Sequence, residues 1–411
     1  MLPPYEWFDT SIFLTREKMM INKSFFWQAL LNRLLVTLCL NFFIIVSAYA
    51  DGNKTTLSIS QPAKGINFFY LDGRDQEDLV QVAEKLYYGD DACKGTRAHV
   101  SKRFKNTLKS IKQAGFKWVR LLISKDFYHI YANRCGFNME EVYPVLAEKH
   151  VNVLTNLIEN IAQEGLKIEV VLSGTKWFAE PENDILFFES ILLGIPSQHI
   201  DMVMLGGDVQ PANAKYQADW LKKVLPHFLN HELIELGALN YLFDTVTYRN
   251  KEQATNYVAW VTQEFPTLEY LPVNLYNRSL PPGSVWQDYA KAINEYAEIY
   301  RKSNLPLWID EYGFRLSNNS EEEKYTEADR VEYLKGFHHA LFCNKQSPAA
   351  HFIWTAGNDR YKASPEKDYG RTPFGLFESY TDNMPVTGDA WRELSLFNTG
   401  SSYCERLNEL D

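Results

Sequence analysis

The chain has 411 residues, 45% of them hydrophobic and 14% aromatic, which is enough to bury the core of one large domain. Its formal net charge of −10 and its lack of a lysine- or arginine-rich run exclude the basic footprint of a nucleic-acid-binding protein. An acidic balance with 10 Trp and 24 Tyr favours a neutral, hydroxyl-rich ligand over a polyanion.

The amino terminus has the pattern of an export signal. Lys23 and Arg33 precede an apolar run, residues 34–46, and an Ala-x-Ala sequence ends at Ala50. This order predicts that residues 1–50 are a signal peptide with an extended amino-terminal region. The apolar run is short for a transmembrane helix, although an uncleaved membrane anchor is the alternative. We therefore expect a secreted or periplasmic protein with no stable membrane span after cleavage.

Four cysteines follow the predicted signal: Cys93, Cys135, Cys343 and Cys404. An even number in an oxidising compartment allows two disulfides in three possible pairings. Closeness in sequence favours Cys93–Cys135 and Cys343–Cys404, and four free thiols are the alternative. No CxxC spacing or Cys/His cluster indicates zinc, so we expect neither a metal nor a cofactor.

From Lys64 onward, β-rich runs alternate with amphipathic helical stretches. The eight predicted strands are Ile66–Tyr70, Gly115–Ile123, Leu166–Leu172, His199–Leu205, Leu242–Tyr248, Tyr270–Tyr276, Leu307–Asp310 and Ala350–Trp354. The predicted helices are Lys102–Ala114, Glu148–Glu164, Ile185–Leu192, Asn213–Asn230, Ala254–Glu264, Trp286–Lys302, Glu327–Cys343 and, last in the chain, Trp391–Phe397.

This alternation predicts an α/β fold with parallel strands joined by right-handed crossovers. Eight units fit a closed (β/α)8 barrel, the TIM barrel, over residues 64–411, after a short leader at residues 51–63. An open doubly wound sheet is the alternative. The barrel is favoured because no glycine-rich phosphate turn follows the first predicted strand.

Glu311 is the most informative residue. Residues 305–314 read LPLWIDEYGF, so a largely apolar strand carries a carboxylate at its carboxyl end. Active sites of barrels lie at the carboxyl ends of the strands. A charge there is costly unless it is paired or used. The alternative is a structural acid paired with a nearby arginine.

Asp208 is a second candidate acid. It follows the predicted strand His199–Leu205 across two glycines that permit a sharp turn. In a barrel, Asp208 and Glu311 would both face the central opening. Two carboxylates in a cleft are what cleavage of a glycosidic bond requires, one as proton donor and one at the anomeric carbon. The alternative is an acid that only caps the turn.

Polar helpers surround these acids. Arg120 faces the barrel interior if the alternation Trp118, Arg120, Leu122 holds. An arginine beside Glu311 would keep that carboxylate ionised, as a nucleophile must be. Tyr276 could donate a hydrogen bond to the same carboxylate.

Two tryptophans could bind a sugar ring. Trp354 ends the last predicted strand, and Trp177 follows the third. The flat face of an aromatic ring gives apolar contact with a defined orientation. Taken singly, each is more often an ordinary core or surface residue, and the position at a strand end is what favours binding.

Several short motifs resemble the clan A glycoside hydrolases, the cellulase-like (β/α)8 superfamily. They are Gly115–Arg120 (GFKWVR), Val273–Tyr276 (VNLY), Trp308–Gly313 (WIDEYG) and Trp354, spread over residues 64–400. The strand-seven run is moderately specific and the others are weak alone.

The resemblance implies roles for four residues. Glu311 matches the nucleophile, Arg120 its charge partner and Tyr276 its hydrogen-bond donor. Trp354 matches the platform of the subsite that holds the cleaved sugar.

The chain departs from this family at the fourth predicted strand. The family has Asn-Glu-Pro there, with Glu as acid/base, whereas this chain has Gly207-Asp208 with Pro211 displaced. The usual contact of the asparagine to the sugar 2-hydroxyl is missing. The shorter Asp208 would also widen the gap between carboxylates, which leaves retention and inversion both open. Asp208 is a working acid, a misplaced one or the remnant of a lost site.

We therefore predict an exported glycoside hydrolase that cleaves a β-linked oligo- or polysaccharide. Its partner is a carbohydrate substrate, and the oligomeric state is not indicated. A barrel that binds glycans without hydrolysing them is the main alternative. A secreted hydrolase of another ester or amide is a third hypothesis, although no G-x-S-x-G elbow is present.

Overall fold

A computed structural model describes most of the chain beyond residue 61. The described ranges are 62–68, 102–125, 138–173, 180–205, 214–229, 251–266, 268–276, 280–314, 325–343, 347–354, 376–382 and 384–409, with residues 136, 316 and 356. All of them belong to one compact unit, Leu57–Asp411. The predicted signal peptide and nearly all of the predicted leader lie outside the described residues.

In the described part of the chain, seven parallel strands form the main sheet. They are β1 (Ala63–Asn67), β2 (Trp118–Ser124), β3 (Lys167–Ser173), β4 (Met202–Leu205), β5 (Leu271–Asn274), β6 (Leu307–Tyr312) and β7 (Ala350–Ile353). Their order is β4-β3-β2-β1-β7-β6-β5. The first strand therefore pairs with both the second and the seventh. This is the order that a barrel gives and a doubly wound sheet does not.

The sheet is curled, as a contact across its inner face shows. Glu169 of β3 and Trp308 of β6 are four strands apart, about 19 Å in a flat sheet with roughly 4.8 Å per strand. The indole Nε1 of Trp308 nevertheless donates a hydrogen bond of 3.0 Å to Glu169 Oε2. Only a sheet bent towards a cylinder brings these side chains together.

Helices follow the strands, as predicted. They are α1 (Lys102–Gln113), α2 (Glu148–Gln163), α3 (Pro181–Gly194), α4 (Ala214–Leu229), α5 (Lys251–Glu264), α6 (Trp286–Arg301), α7 (Glu327–His338), α8 (Asp389–Thr399) and α9 (Tyr403–Asn408). A capping box at α7, in which Thr326 and Asp329 bond each other's backbone, fixes where that helix begins. No helix in the described part is both long and apolar enough to cross a membrane.

Several features differ from the prediction. The first strand begins at Ala63 rather than Ile66, because Ala63 and Lys64 already pair with β7. Trp391–Phe397 is not in the last helix, since α9 follows α8. An antiparallel hairpin, β8 (Phe377–Thr381) and β9 (Met384–Thr387), was not predicted.

The end of the predicted helix Glu327–Cys343 also differs. Residues His339–Cys343 form a π-helical turn after α7. Cys343 is joined to Cys404 of α9 by a disulfide, the pairing favoured from sequence. Cys93, Cys135 and the predicted strand Leu242–Tyr248 lie outside the described residues.

Apolar side chains fill the amino-terminal half of the curled sheet on its inner face. Trp118, Trp308 and Phe352 meet there, with ring centroids 6.1–6.5 Å apart. Gly65 of β1 lies under the Phe352 ring, where an added Cβ would come within 2.1 Å of a ring carbon. Glycine is therefore required at this position. A second, larger core lies between the outer face and the helices.

Candidate functional site

A β-bulge turns Glu311 to the inner face of the sheet. On β5, Val273 pairs with Ile309 and the next residue, Asn274, pairs with Glu311, so that Asp310 is one extra residue in β6. The pairing of β6 with β7 shifts over the same stretch. Because side chains alternate along a strand, one extra residue reverses the faces beyond it.

The residues on either side of the bulge show this reversal. Trp308 faces the interior, and Glu311 also does, three positions later rather than two. Tyr312 instead faces the helices, where its ring stacks on Phe337 of α7 with centroids 3.9 Å apart.

Among the described residues, Arg120 and Tyr276 hold the Glu311 carboxylate. Arg120 of β2 donates from Nη1 to Glu311 Oε1 at 3.1 Å, and the Tyr276 hydroxyl donates to Oε2 at 3.0 Å. The Glu311 side chain is 13% exposed, whereas that of Arg120 is 1% exposed. Each contact stabilises the ionised form of Glu311, and the side chain remains partly exposed.

Arg120 faces the interior, as the alternation of β2 predicted. Its Nε donates to Glu169 Oε1 at 3.0 Å, and Nη1 also donates to Asn67 Oδ1 at 2.8 Å. Its Nη2 lies 3.5 Å from the sulfur of Met204 on β4. These contacts from β1, β3 and β4 fix the plane of the guanidinium, so that it meets Glu311 in a defined orientation.

Glu169 is a site residue that the sequence analysis missed. It is fully buried on β3, and its two oxygens accept from Arg120 Nε and Trp308 Nε1, each at 3.0 Å. A single acid inside the apolar run 168–172 was the available signal, because charge on a buried strand is costly without a partner.

Asn67 was missed as well. Its Nδ2 donates to the backbone oxygen of Asp310 at 3.1 Å, which is the bulged residue of β6. Its Oδ1 accepts from Arg120. One buried amide therefore links the bulge that orients Glu311 to the arginine that binds it.

The remaining predicted site residues are placed only in part. Trp354 directly follows β7 and is partly exposed, and its backbone N–H donates to Tyr312 O at 2.7 Å. It therefore lies at the carboxyl end of the sheet, as Glu311 does. Asp208 and Trp177 lie outside the described residues, and their roles stay predictions. Within the described ranges, no three His, Cys, Asp or Glu side chains are grouped to hold a metal ion.

The fold and the site together define an α/β protein with a curled parallel sheet of the barrel type and a held carboxylate at its carboxyl end. No protein-family model and no curated protein matches the chain.

Several solved glycoside hydrolase structures are similar to it. One is a hyperthermostable endo-1,4-β-D-mannanase from Thermotoga petrophila, at 14% identity over 72% of this chain and 95% of the other, with a TM-score of 0.47. Another is a GH113 β-1,4-mannanase, at 11% identity over 83% and 100% of the chains, with a TM-score of 0.48. A third is a Bifidobacterium longum GH5_18 protein bound to Manβ1-4GlcNAc, at 14% identity over 72% of each chain, with a TM-score of 0.49. All three TM-scores lie below 0.5.

Proposed function

We propose that this protein is an exported glycoside hydrolase that cleaves a β-linked oligo- or polysaccharide. Glu311 is the nucleophile and Asp208 the proton donor. The observation that supports this most is the state of Glu311, which is held by Arg120 and Tyr276 and partly open to solvent. An ionised, fixed and accessible carboxylate is what attack at an anomeric carbon requires.

The proposal includes a closed barrel. Strands β4 and β5 end the described strand order, and residues 206–270 connect them. The predicted strand Leu242–Tyr248 falls in this connection, and its insertion between β4 and β5 would complete a barrel of eight strands. Asp208 would then follow the fourth strand of the barrel, and Glu311 would lie at the end of the seventh strand. Both side chains would face the same opening.

In this mechanism Glu311 stabilises or attacks the anomeric carbon while Asp208 gives its proton to the departing glycosidic oxygen. With the carboxyl groups about 5 Å apart, Glu311 forms a glycosyl ester that water then hydrolyses. With a gap of roughly 6.5–9.5 Å, water attacks directly and the configuration inverts. Trp354 and Trp177 offer faces for the sugar rings. The protein's net negative charge suits a neutral glycan better than an acidic one.

A glycan-binding protein without catalysis is the second candidate. The departure Gly207-Asp208 from the family pattern favours it, because it removes the usual acid/base. Affinity for a glycan with no turnover over a broad substrate panel would select it.

The decisive experiment compares wild type with Glu311→Gln on aryl β-glycosides and on neutral β-linked glycans. Turnover should fall by roughly 10³-fold or more, because a neutral amide cannot act as the nucleophile. Glu298→Gln, the same change at an exposed position of α6, is the matched control and should leave turnover unaltered. Unchanged turnover in a folded Glu311→Gln protein would remove the assignment.

A further inference from the structure

Both oxygens of the buried Glu169 side chain act as hydrogen-bond acceptors. Arg120 Nε donates to one of its oxygens and Trp308 Nε1 to the other. A glutamine would turn its amide N–H towards one of these donors. Because one donor is a guanidinium, these contacts stabilise the ionised form of Glu169, which pairs with the same guanidinium as Glu311 does.

This arrangement divides one positive charge between two carboxylates. Arg120 does not lose its proton in a protein, so with both carboxyls ionised the Arg120, Glu169 and Glu311 side chains carry one positive and two negative charges. A carboxylate that had the arginine to itself would be more strongly stabilised as an anion. It would then be a weaker nucleophile, because stabilising the ground state raises the barrier to attack.

We propose that Glu169 is a positioning residue that shares Arg120 with Glu311, so that Glu311 stays ionised without losing its reactivity. The inference rests on the proposed role of Glu311 as nucleophile. When Glu311 attacks, its oxygen forms the bond to the anomeric carbon, the bond to the leaving oxygen breaks, and the charge of Glu311 is consumed. Arg120 then still has the Glu169 carboxylate as its counter-ion, so a buried cation is not left unpaired in the glycosyl ester.

The test is a titration of Glu311 that needs no substrate. The protein is labelled with glutamate enriched in carbon-13 at the side-chain carboxyl, and the Glu311 signal is assigned by its loss in Glu311→Gln. In Glu169→Gln the Glu311 midpoint should move down by on the order of one pH unit, because a nearby negative charge is removed. If Glu169 only aligned Arg120, the loosened arginine would instead let the midpoint rise. A rise or no change overturns the proposal.

Two further variants complete the design. Glu298→Gln removes a negative charge at an exposed position of α6 and should leave the Glu311 midpoint unchanged. If circular dichroism shows Glu169→Gln to be unfolded, Trp308→Phe gives the second test. Without the indole N–H, the Glu169 carboxylate interacts more strongly with Arg120. Arg120 then stabilises the ionised form of Glu311 less, and the Glu311 midpoint should rise. A fall or no change there also contradicts charge sharing.

Hydrolysis separates this inference from the proposed function. In an active protein, Glu169→Gln should lower kcat and move the acidic limb of its pH profile down together with the titration midpoint. A protein that hydrolyses no glycan but shows the shift in midpoint would retain the shared arginine and lose only the enzymatic proposal.

Discussion

Asn274 of β5 lies opposite Glu311 of β6, although regular pairing from Val273 and Ile309 would place it opposite Asp310. This one-residue slip decides which acid faces the interior. Regular alternation from the inward Trp308 would turn Asp310 inward and Glu311 towards the helices. The bulge reverses that outcome and so creates the contacts of Glu311 with Arg120 and Tyr276.

Asn67→Ala should destabilise the protein and reduce turnover together. The change removes a buried partner of Arg120 and the bond to the bulged backbone at Asp310. A buried polar group that loses its partner costs about 1–3 kcal/mol of the free energy of unfolding, measured by urea denaturation. Asn408→Ala at an exposed position of α9 is the control. Equal effects of the two changes would contradict the link.

Arg120→Met should destabilise the fold strongly. It leaves the carboxylates of Glu169 and Glu311 in the interior without this counter-ion. Breaking a buried pair from one side costs about 3–5 kcal/mol, read from urea unfolding at neutral pH. Arg392→Met breaks an exposed pair with Asp389 and should cost about 1 kcal/mol or less. Arg120→Lys keeps the positive charge but loses the several N–H donors of the guanidinium, so its loss of unfolding free energy should be intermediate.

The stability of the protein should fall in mild acid because of two histidines, His338 of α7 and His351 of β7. Both are fully buried, and desolvation lowers the pKa of each well below its ordinary value. The positive charge of Lys64 lowers both further, and each ring Nδ1 lies near a tyrosine hydroxyl, that of Tyr403 or Tyr312. The unfolded chain therefore binds protons first. The contribution is present above the unfolded pKa of about 6.5 and is lost as the pH falls below it.

Thermal unfolding between pH 8 and pH 5 checks this prediction. The double variant His338→Phe/His351→Phe should be less stable at pH 8 but should lose less stability on acidification than wild type. Parallel slopes for the two proteins would show that other groups cause the acid sensitivity.

Reduction of the Cys343–Cys404 disulfide should lower the free energy of unfolding by about 4 kcal/mol, from the loop entropy of a 61-residue separation. Urea denaturation with and without dithiothreitol measures it. Cys343→Ser/Cys404→Ser should match the reduced wild type and should not respond to reductant. A response of the double variant would place the effect at another cysteine pair.

Export can be tested at the amino terminus. If residues 1–50 are a cleaved signal, Edman sequencing of the protein from the secreted or periplasmic fraction should begin at Asp51. An intact amino terminus in the membrane fraction would favour the uncleaved anchor.

The sequence predicted the parts of the site that depend on position along a strand. Period-two alternation placed Arg120 inside the sheet, and the strand ends placed Glu311 and Tyr276 at one edge. These signals are local, and the contacts between the three residues agree with them.

Other parts were not predictable because they depend on pairing between distant segments. The Asp310 bulge appears only in the register of β6 against β5 and β7. The role of Glu169 depends on the hydrogen bond from Trp308, which is 139 positions away in the sequence. The hairpin β8–β9 and helix α9 interrupt the alternation of strands and helices, so that alternation could not predict them.

The ring packing at the amino-terminal half of the sheet limits how a ligand can reach Glu311. The rings of Trp118, Trp308 and Phe352 pack against one another above Gly65 and fill the interior of that half. At this end, the inner face of the curled sheet is filled by side chains. If the proposed barrel is closed, a molecule that contacts Glu311 would reach it and leave it from the carboxyl end of the strands.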